Sequence, residues 1–116
     1  MLSDKDSCIN YVEFDVLDIE RAKAFYGAAF GWTFTDFGPD YCEFNDSQMK
    51  GGFARAETVN LGGPLIVLFG DDLELLQDKV VEAGGTISQE IFEFPGGKRF
   101  HFKDPEGYEL AIWCHI

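Results

Sequence analysis

The chain has 116 residues, 46% hydrophobic and 26% charged, and its 21 acidic against 9 basic residues give a formal net charge of -12. That length holds one domain, and the balance of apolar and charged residues argues against disorder, collagen-like repeats and coiled coil. The acidity argues against nucleic acid as a partner, because binding it requires basic residues to replace phosphate counterions; it would steer a cationic ligand, or serve only to keep the surface soluble.

In chain order, the N-terminal MLSDKDS is polar and lacks the basic and apolar regions of a signal peptide, so a soluble, cytoplasmic protein is expected. Ile9 to Val16 reads as a strand. Asp18 is a candidate N-cap, and Ile19, Ala22, Phe25, Tyr26 and Ala29 recur at the spacing of one helix face, with Gly31 as the stop. Trp32 to Phe37, Tyr41 to Phe44 and Gly52 to Glu57 are short strand candidates separated by turn residues. Asn60-Leu61-Gly62-Gly63-Pro64 is a natural joint.

The plan then repeats. Leu65 to Phe69 is an apolar strand far too short to cross a bilayer, so no membrane partner is expected. Asp72, or Asp71, caps a helix with Leu73, Leu76, Val80 and Ala83 on one face and Gly84-Gly85 at its end. Thr86 to Phe94, Lys98 to Phe102 and Tyr108 to Cys114 follow as strands, joined by Pro95-Gly96-Gly97 and by Asp104-Pro105-Glu106-Gly107, where proline presets φ and glycine accepts a positive one. Sliding the chain over itself by 54 residues lays Asp18-Ile19-Glu20 on Asp72-Leu73-Glu74, Ala29 on Ala83 and Gly31 on Gly85. The chain thus reads as two βαβββ modules, about residues 1–58 and 64–116, within one α+β domain; neither is large enough to bury its sheet face alone.

Cys8, Cys42 and Cys114 are widely spaced and odd in number, which gives neither a disulfide framework nor a CxxC motif; they read as reduced, mostly buried thiols with no neighbouring base. The Gly-Gly pairs at 51–52, 62–63, 84–85 and 96–97 lack the context of a phosphate-binding loop and read as turn punctuation.

Three segments, VEFDVLDIERAKAFYGAAFGW (Val12 to Trp32), DDLELLQDKVVEAGG (Asp71 to Gly85) and RFHFKDPEGYELAIW (Arg99 to Trp113), resemble the glyoxalase / bleomycin-resistance / extradiol-dioxygenase (vicinal oxygen chelate) superfamily, in particular its small single-domain glyoxalase-like members. The resemblance implies a curled mixed sheet around a cavity, a homodimer, and in the enzymes a divalent metal held by His and Glu. It places the first-strand ligand at Tyr11 and Leu65 and the last-strand ligand at Ala111; the matching strand of the first module offers only Glu57. A divalent metal needs roughly three or four convergent donors, so no cofactor is expected. Three readings stay open: a protein that binds a small cationic or aromatic ligand in a metal-free cavity, a metal-dependent lyase or dioxygenase with a relocated site, and a non-catalytic dimeric partner domain.

Strand alternation puts Tyr11, Glu13 and Asp15 on one face and Val12, Phe14 and Val16 on the helix side; likewise Glu109, Ala111 and Trp113 oppose Leu110 and Ile112. Glu13 and Glu109 are candidates for cation binding or acid/base work, or for structural anchors. His101, between Phe100 and Phe102, points away from both, as a base or ligand, or as a hydrogen-bonded structural residue. Tyr11, Glu13, His101, Glu109 and Trp113 form the candidate ligand-binding set. Tyr41, Phe53 and Trp32 are further candidates for aromatic walls, Trp32 being better placed in the core, and His115 is expected to fray.

Overall fold

The computed structural model describes residues 6–116. The chain divides into two units between Asn60 and Leu61, inside the expected joint. Each is a β-α-β-β-β module, and each forms a four-stranded mixed sheet in which the first strand runs parallel to the last and the other pairs are antiparallel.

The first unit comprises β1 (Tyr11–Val16), α1 (Ile19–Phe30), β2 (Thr33–Asp36), β3 (Tyr41–Asn45) and β4 (Lys50–Arg55), with sheet order β1-β4-β3-β2. Asp18 caps α1 by accepting the Arg21 N–H at 3.0 Å, which satisfies one of the donors every helix start leaves open. Gly31 ends the helix in the left-handed conformation at φ 73°, where a Cβ would be disfavoured. All five predicted face residues of α1 are buried. They meet the helix side of the sheet, where Phe14, Val16, Cys42, Phe44 and Phe53 are buried in turn. Trp32 stacks between Tyr26 and Phe44, with ring centroids 4.6 Å from each, and so belongs to this core. So does Phe53. It is 1% exposed and lies 5.0 Å from Phe44 and 5.5 Å from Tyr26, so the expectation of a ligand wall there is wrong: its register on β4 gives it the same side as Phe14 and Cys42.

The second unit comprises β5 (Ile66–Phe69), α2 (Leu73–Glu82), β6 (Thr86–Phe94), β7 (Gly97–Lys103) and β8 (Glu109–His115), ordered β5-β8-β7-β6. Asp72, not Asp71, is the N-cap and accepts the Leu75 N–H at 3.1 Å. Leu73 and Val80 are buried, whereas Leu76 and Ala83 are only half-buried, so α2 seals its sheet less completely than α1. Phe100, Phe102, Leu110 and Ile112 fill the core beneath it. Asp104 is buried in the turn before β8, where one carboxylate oxygen accepts the N–H groups of Glu106, Gly107 and Tyr108, each at 3.0 Å. This local pairing lets the Asp-Pro-Glu-Gly turn aim β8 back along β7.

Two expectations change here. His115 does not fray: it pairs with Gly97 in the β7–β8 ladder, and its ring packs edge-on against Trp113 at 4.6 Å. Gly51-Gly52 and Gly97 are strand residues, not turn punctuation. At Gly51 a Cβ would run into the Val12 carbonyl and the Phe44 ring, and at Gly97 into the Cys114 carbonyl, so these positions are glycine because a neighbouring backbone passes close by. No helix among the described residues is long and apolar enough to cross a membrane.

Candidate functional site

Strand register organises the face of each sheet turned away from its helix. In the first unit Tyr11, Lys50 and Asn45 form one row across β1, β4 and β3; Glu13, Gly52 and Glu43 form the next, and Asp15, Ala54 and Tyr41 the third. Diagonal reach across the middle row joins three of these side chains. The Tyr41 hydroxyl donates to Glu13 Oε1 at 2.9 Å, and the Tyr11 and Tyr41 oxygens lie 2.6 Å apart. A phenol has one proton to give. With that of Tyr41 committed to Glu13, Tyr11 donates to Tyr41, and the three groups form a directed chain ending on the carboxylate. Gly52 makes room for it: a Cβ there would meet the Tyr41 hydroxyl, its ring carbon Cζ at 2.5 Å and the Tyr11 hydroxyl at 2.8 Å.

Desolvation, followed by the hydrogen bonds to Tyr11 and Glu13, pushes the Tyr41 phenol well above the ordinary tyrosine range. The folded state therefore holds this proton more tightly than the unfolded chain. The stabilisation is fully present below the ordinary tyrosine value of about 10 and is lost as pH rises above it. An alkaline ultraviolet titration should show a late tyrosine ionisation that Tyr41→Phe removes; an unchanged high-pH titration in that variant would contradict this assignment.

In the second unit His101, Ala111 and Val67 form the row that corresponds to Glu43, Gly52 and Glu13, and Arg99, Trp113 and Phe69 form the next. His101 is only 6% exposed. Its Nδ1 lies 3.2 Å from Glu109 Oε2, and the Ser88 hydroxyl donates to the same oxygen at 2.9 Å. His101 Nε2 and Arg99 Nε are both buried without a hydrogen-bond partner among the described residues. The Arg99 guanidinium lies over the rings of Phe92 and Phe94, at 5.3 and 5.5 Å, and Trp113 is edge-on to Phe69 at 5.4 Å.

The candidate residues thus fall into two groups, one on each sheet. Tyr11 and Glu13 are linked through Tyr41, while His101 and Glu109 are bonded directly and Trp113 stands one row further on. Among the described residues the partners of the two glutamates are tyrosine, histidine and serine side chains. Ser88 and Arg99 went unremarked in the sequence, since cross-strand neighbours become visible only once register is known. Glu57 is exposed and lies beyond β4, so it does not occupy the last-strand position of the first module; Gly52 does, matching Ala111 in register. Of the cysteines, Cys8 is exposed rather than buried, and burial pushes the Cys42 thiol up, away from thiolate reactivity.

Residues 9–112 match the family described as Glyoxalase/Bleomycin resistance protein/Dioxygenase superfamily. The chain belongs to this superfamily. It is 24% identical to a Mycobacterium bovis protein named "Putative glyoxylase CFP32" over 90% of this chain and 44% of that protein, and so spans less than half the length of this curated relative. Among solved structures it is similar to a glyoxalase/bleomycin resistance protein/dioxygenase family enzyme from Burkholderia phytofirmans PsJN, with a TM-score of 0.82, 20% identity, and coverage of 92% of this chain and 98% of that one. A glyoxalase-related enzyme from Fulvimarina pelagi gives a TM-score of 0.81 at 20% identity, covering 94% of this chain and 88% of that one. These likenesses show the shared fold of paired βαβββ modules.

The positions at which the family resemblance places metal ligands hold Tyr11 and Leu65 on the first-strand side and Gly52 and Ala111 on the last strands, the latter two with no side-chain donor atom. Among the described residues, no three or more His, Cys, Asp or Glu side chains come together in a group able to hold a metal ion. His101 and Glu109 are one pair of donors, already bonded to each other.

Proposed function

We propose that this glyoxalase-like protein binds a small, ring-bearing molecule on its sheet face without a resident divalent metal. The observation that carries this reading is the row structure of the second sheet. Where the family resemblance places a carboxylate there is Ala111; the same face carries Trp113, Phe69, Phe92 and Phe94, and Arg99 Nε and His101 Nε2 have no hydrogen-bond partner among the described residues. Apolar and aromatic surface with a few placed polar groups is what small-molecule sites are made of. A cationic ligand is less well supported, because Glu13 and Glu109 already accept hydrogen bonds from neighbouring side chains.

Two measurements test this. Elemental analysis of protein purified without chelator is expected to find no stoichiometric transition metal; about one per chain would overturn the metal-free reading and favour a metal-dependent lyase or dioxygenase. A thermal-shift panel of small aromatic compounds should contain stabilising members, since a ligand at about 100 times its Kd stabilises a fold by about 2.7 kcal/mol. A panel without any response would remove ligand binding and leave the partner-domain reading.

A further inference from the structure

We propose that Arg99 and His101 together recognise a hydroxylated aromatic acid, Arg99 taking its carboxylate and His101 accepting its hydroxyl proton. This names the ligand class of the binding reading above and rests on it. Phe100 and Phe102 are fully buried toward α2, so alternation along β7 puts Arg99, His101 and Lys103 on the opposite side. The tautomer of His101 follows from its partner. An ionised carboxylate only accepts, so the Nδ1 facing Glu109 carries the proton, and in a neutral imidazole the lone pair is then on Nε2. Ser88, donating to the same Glu109 oxygen, fixes that carboxylate in place.

Two complementary needs are therefore left open two residues apart on one strand, roughly 6.6 Å along the backbone. His101 Nε2 is a buried acceptor without a donor, and Arg99 Nε–H a buried donor without an acceptor. Buried polar atoms are nearly always paired, and an unpaired couple of opposite character calls for a group that supplies both an O–H and an anionic oxygen.

The ring comes from the same surroundings. The Phe92 ring centroid lies 5.8 Å from that of His101 and 5.3 Å from the Arg99 guanidinium. It sits on β6, an edge strand whose pairing with β7 shifts register between Gln89 and Phe92. Trp113, directly opposite Arg99 on β8, offers the surface for an aromatic ring. In the bound state the ligand's O–H proton passes to, or is shared with, His101 Nε2; only an O–H bond breaks and an N–H bond forms, and the imidazolium charge is held by Glu109.

Calorimetric titration of the full chain with 4-hydroxybenzoate, benzoate, phenol and benzylamine tests the assignment. 4-Hydroxybenzoate should bind at least about tenfold more tightly than either half-probe, the scale expected when one hydrogen-bonding group is lost. Arg99→Gln should bring its affinity down to that of phenol, and His101→Gln to that of benzoate. Because either variant could misfold, 15N spectra of the unaltered chain, with His101 told apart from His115 by a His115→Gln variant, give an independent readout: the His101 Nε2 signal should move on adding 4-hydroxybenzoate. Phenol or benzylamine binding as tightly as 4-hydroxybenzoate, or an unmoved Nε2 signal at saturation, would overturn the assignment while leaving ring binding standing. Failure of all four compounds to bind would overturn both.

Discussion

Phe53→Ala should destabilise the fold by about 4 kcal/mol, the scale for truncating a buried phenylalanine. Its side chain is fully enclosed by Phe14, Tyr26, Phe34 and Phe44, with centroids 5.0 to 6.2 Å away, so the variant removes the centre of an aromatic cluster that α1 and four strands share. With total stabilities of about 5–15 kcal/mol for a domain, that loss is a large fraction of what holds the chain folded. Urea denaturation monitored by tryptophan fluorescence measures it directly. A change under about 1 kcal/mol, accompanied by weaker ligand binding, would instead place Phe53 on the open face and reverse the core assignment.

Gly51→Ala should cost about 3 kcal/mol, at the upper end for overpacking. The added methyl group would meet the Val12 carbonyl of the paired β1 strand as well as the Phe44 ring, with Phe44 Cε2 at 2.7 Å, and a backbone carbonyl held in a ladder cannot turn away. Gly52→Ala makes an instructive contrast. Its methyl group would meet the hydroxyl ends of Tyr41 and Tyr11, which can rotate, so the fold should survive with a loss nearer 1 kcal/mol while the Tyr11–Tyr41–Glu13 chain is broken. Parallel denaturation of the two variants, with the alkaline tyrosine titration as the second readout for Gly52→Ala, separates them. Equal losses would mean that the tyrosine pair is as rigid as the backbone.

Much of the fold was legible because local signals agreed. The α1 face, its Asp18 cap and the Gly31 stop are properties of neighbouring residues, and the structure places each where the spacing does. α2 was less certain: Asp71 and Asp72 are equivalent as sequence, and only the Leu75 N–H chooses between them. The glycine pairs misled for a related reason. Gly51, Gly52 and Gly97 look like turn residues, but they are small because a carbonyl or a tyrosine from another strand comes close, and no local pattern encodes that approach.

The sites divide along the same line. Alternation alone put Glu13 beside Tyr11 in direction, His101 away from its flanking phenylalanines, and Trp113 on the face of Glu109. It could not show that Tyr41 closes a hydrogen-bond chain with Tyr11 and Glu13, that Glu109 reaches His101, or that Arg99 and His101 are left with unmatched polar atoms. Those facts depend on the register between strands far apart in sequence, where a slip of one residue would turn every side chain to the other face. The amino-acid sequence by itself determined a repeated, acidic pair of βαβββ modules. Tertiary structure alone decided which rows their side chains share, because the distances that make a hydrogen bond or leave one unmade are set by strand pairing and not by proximity along the chain.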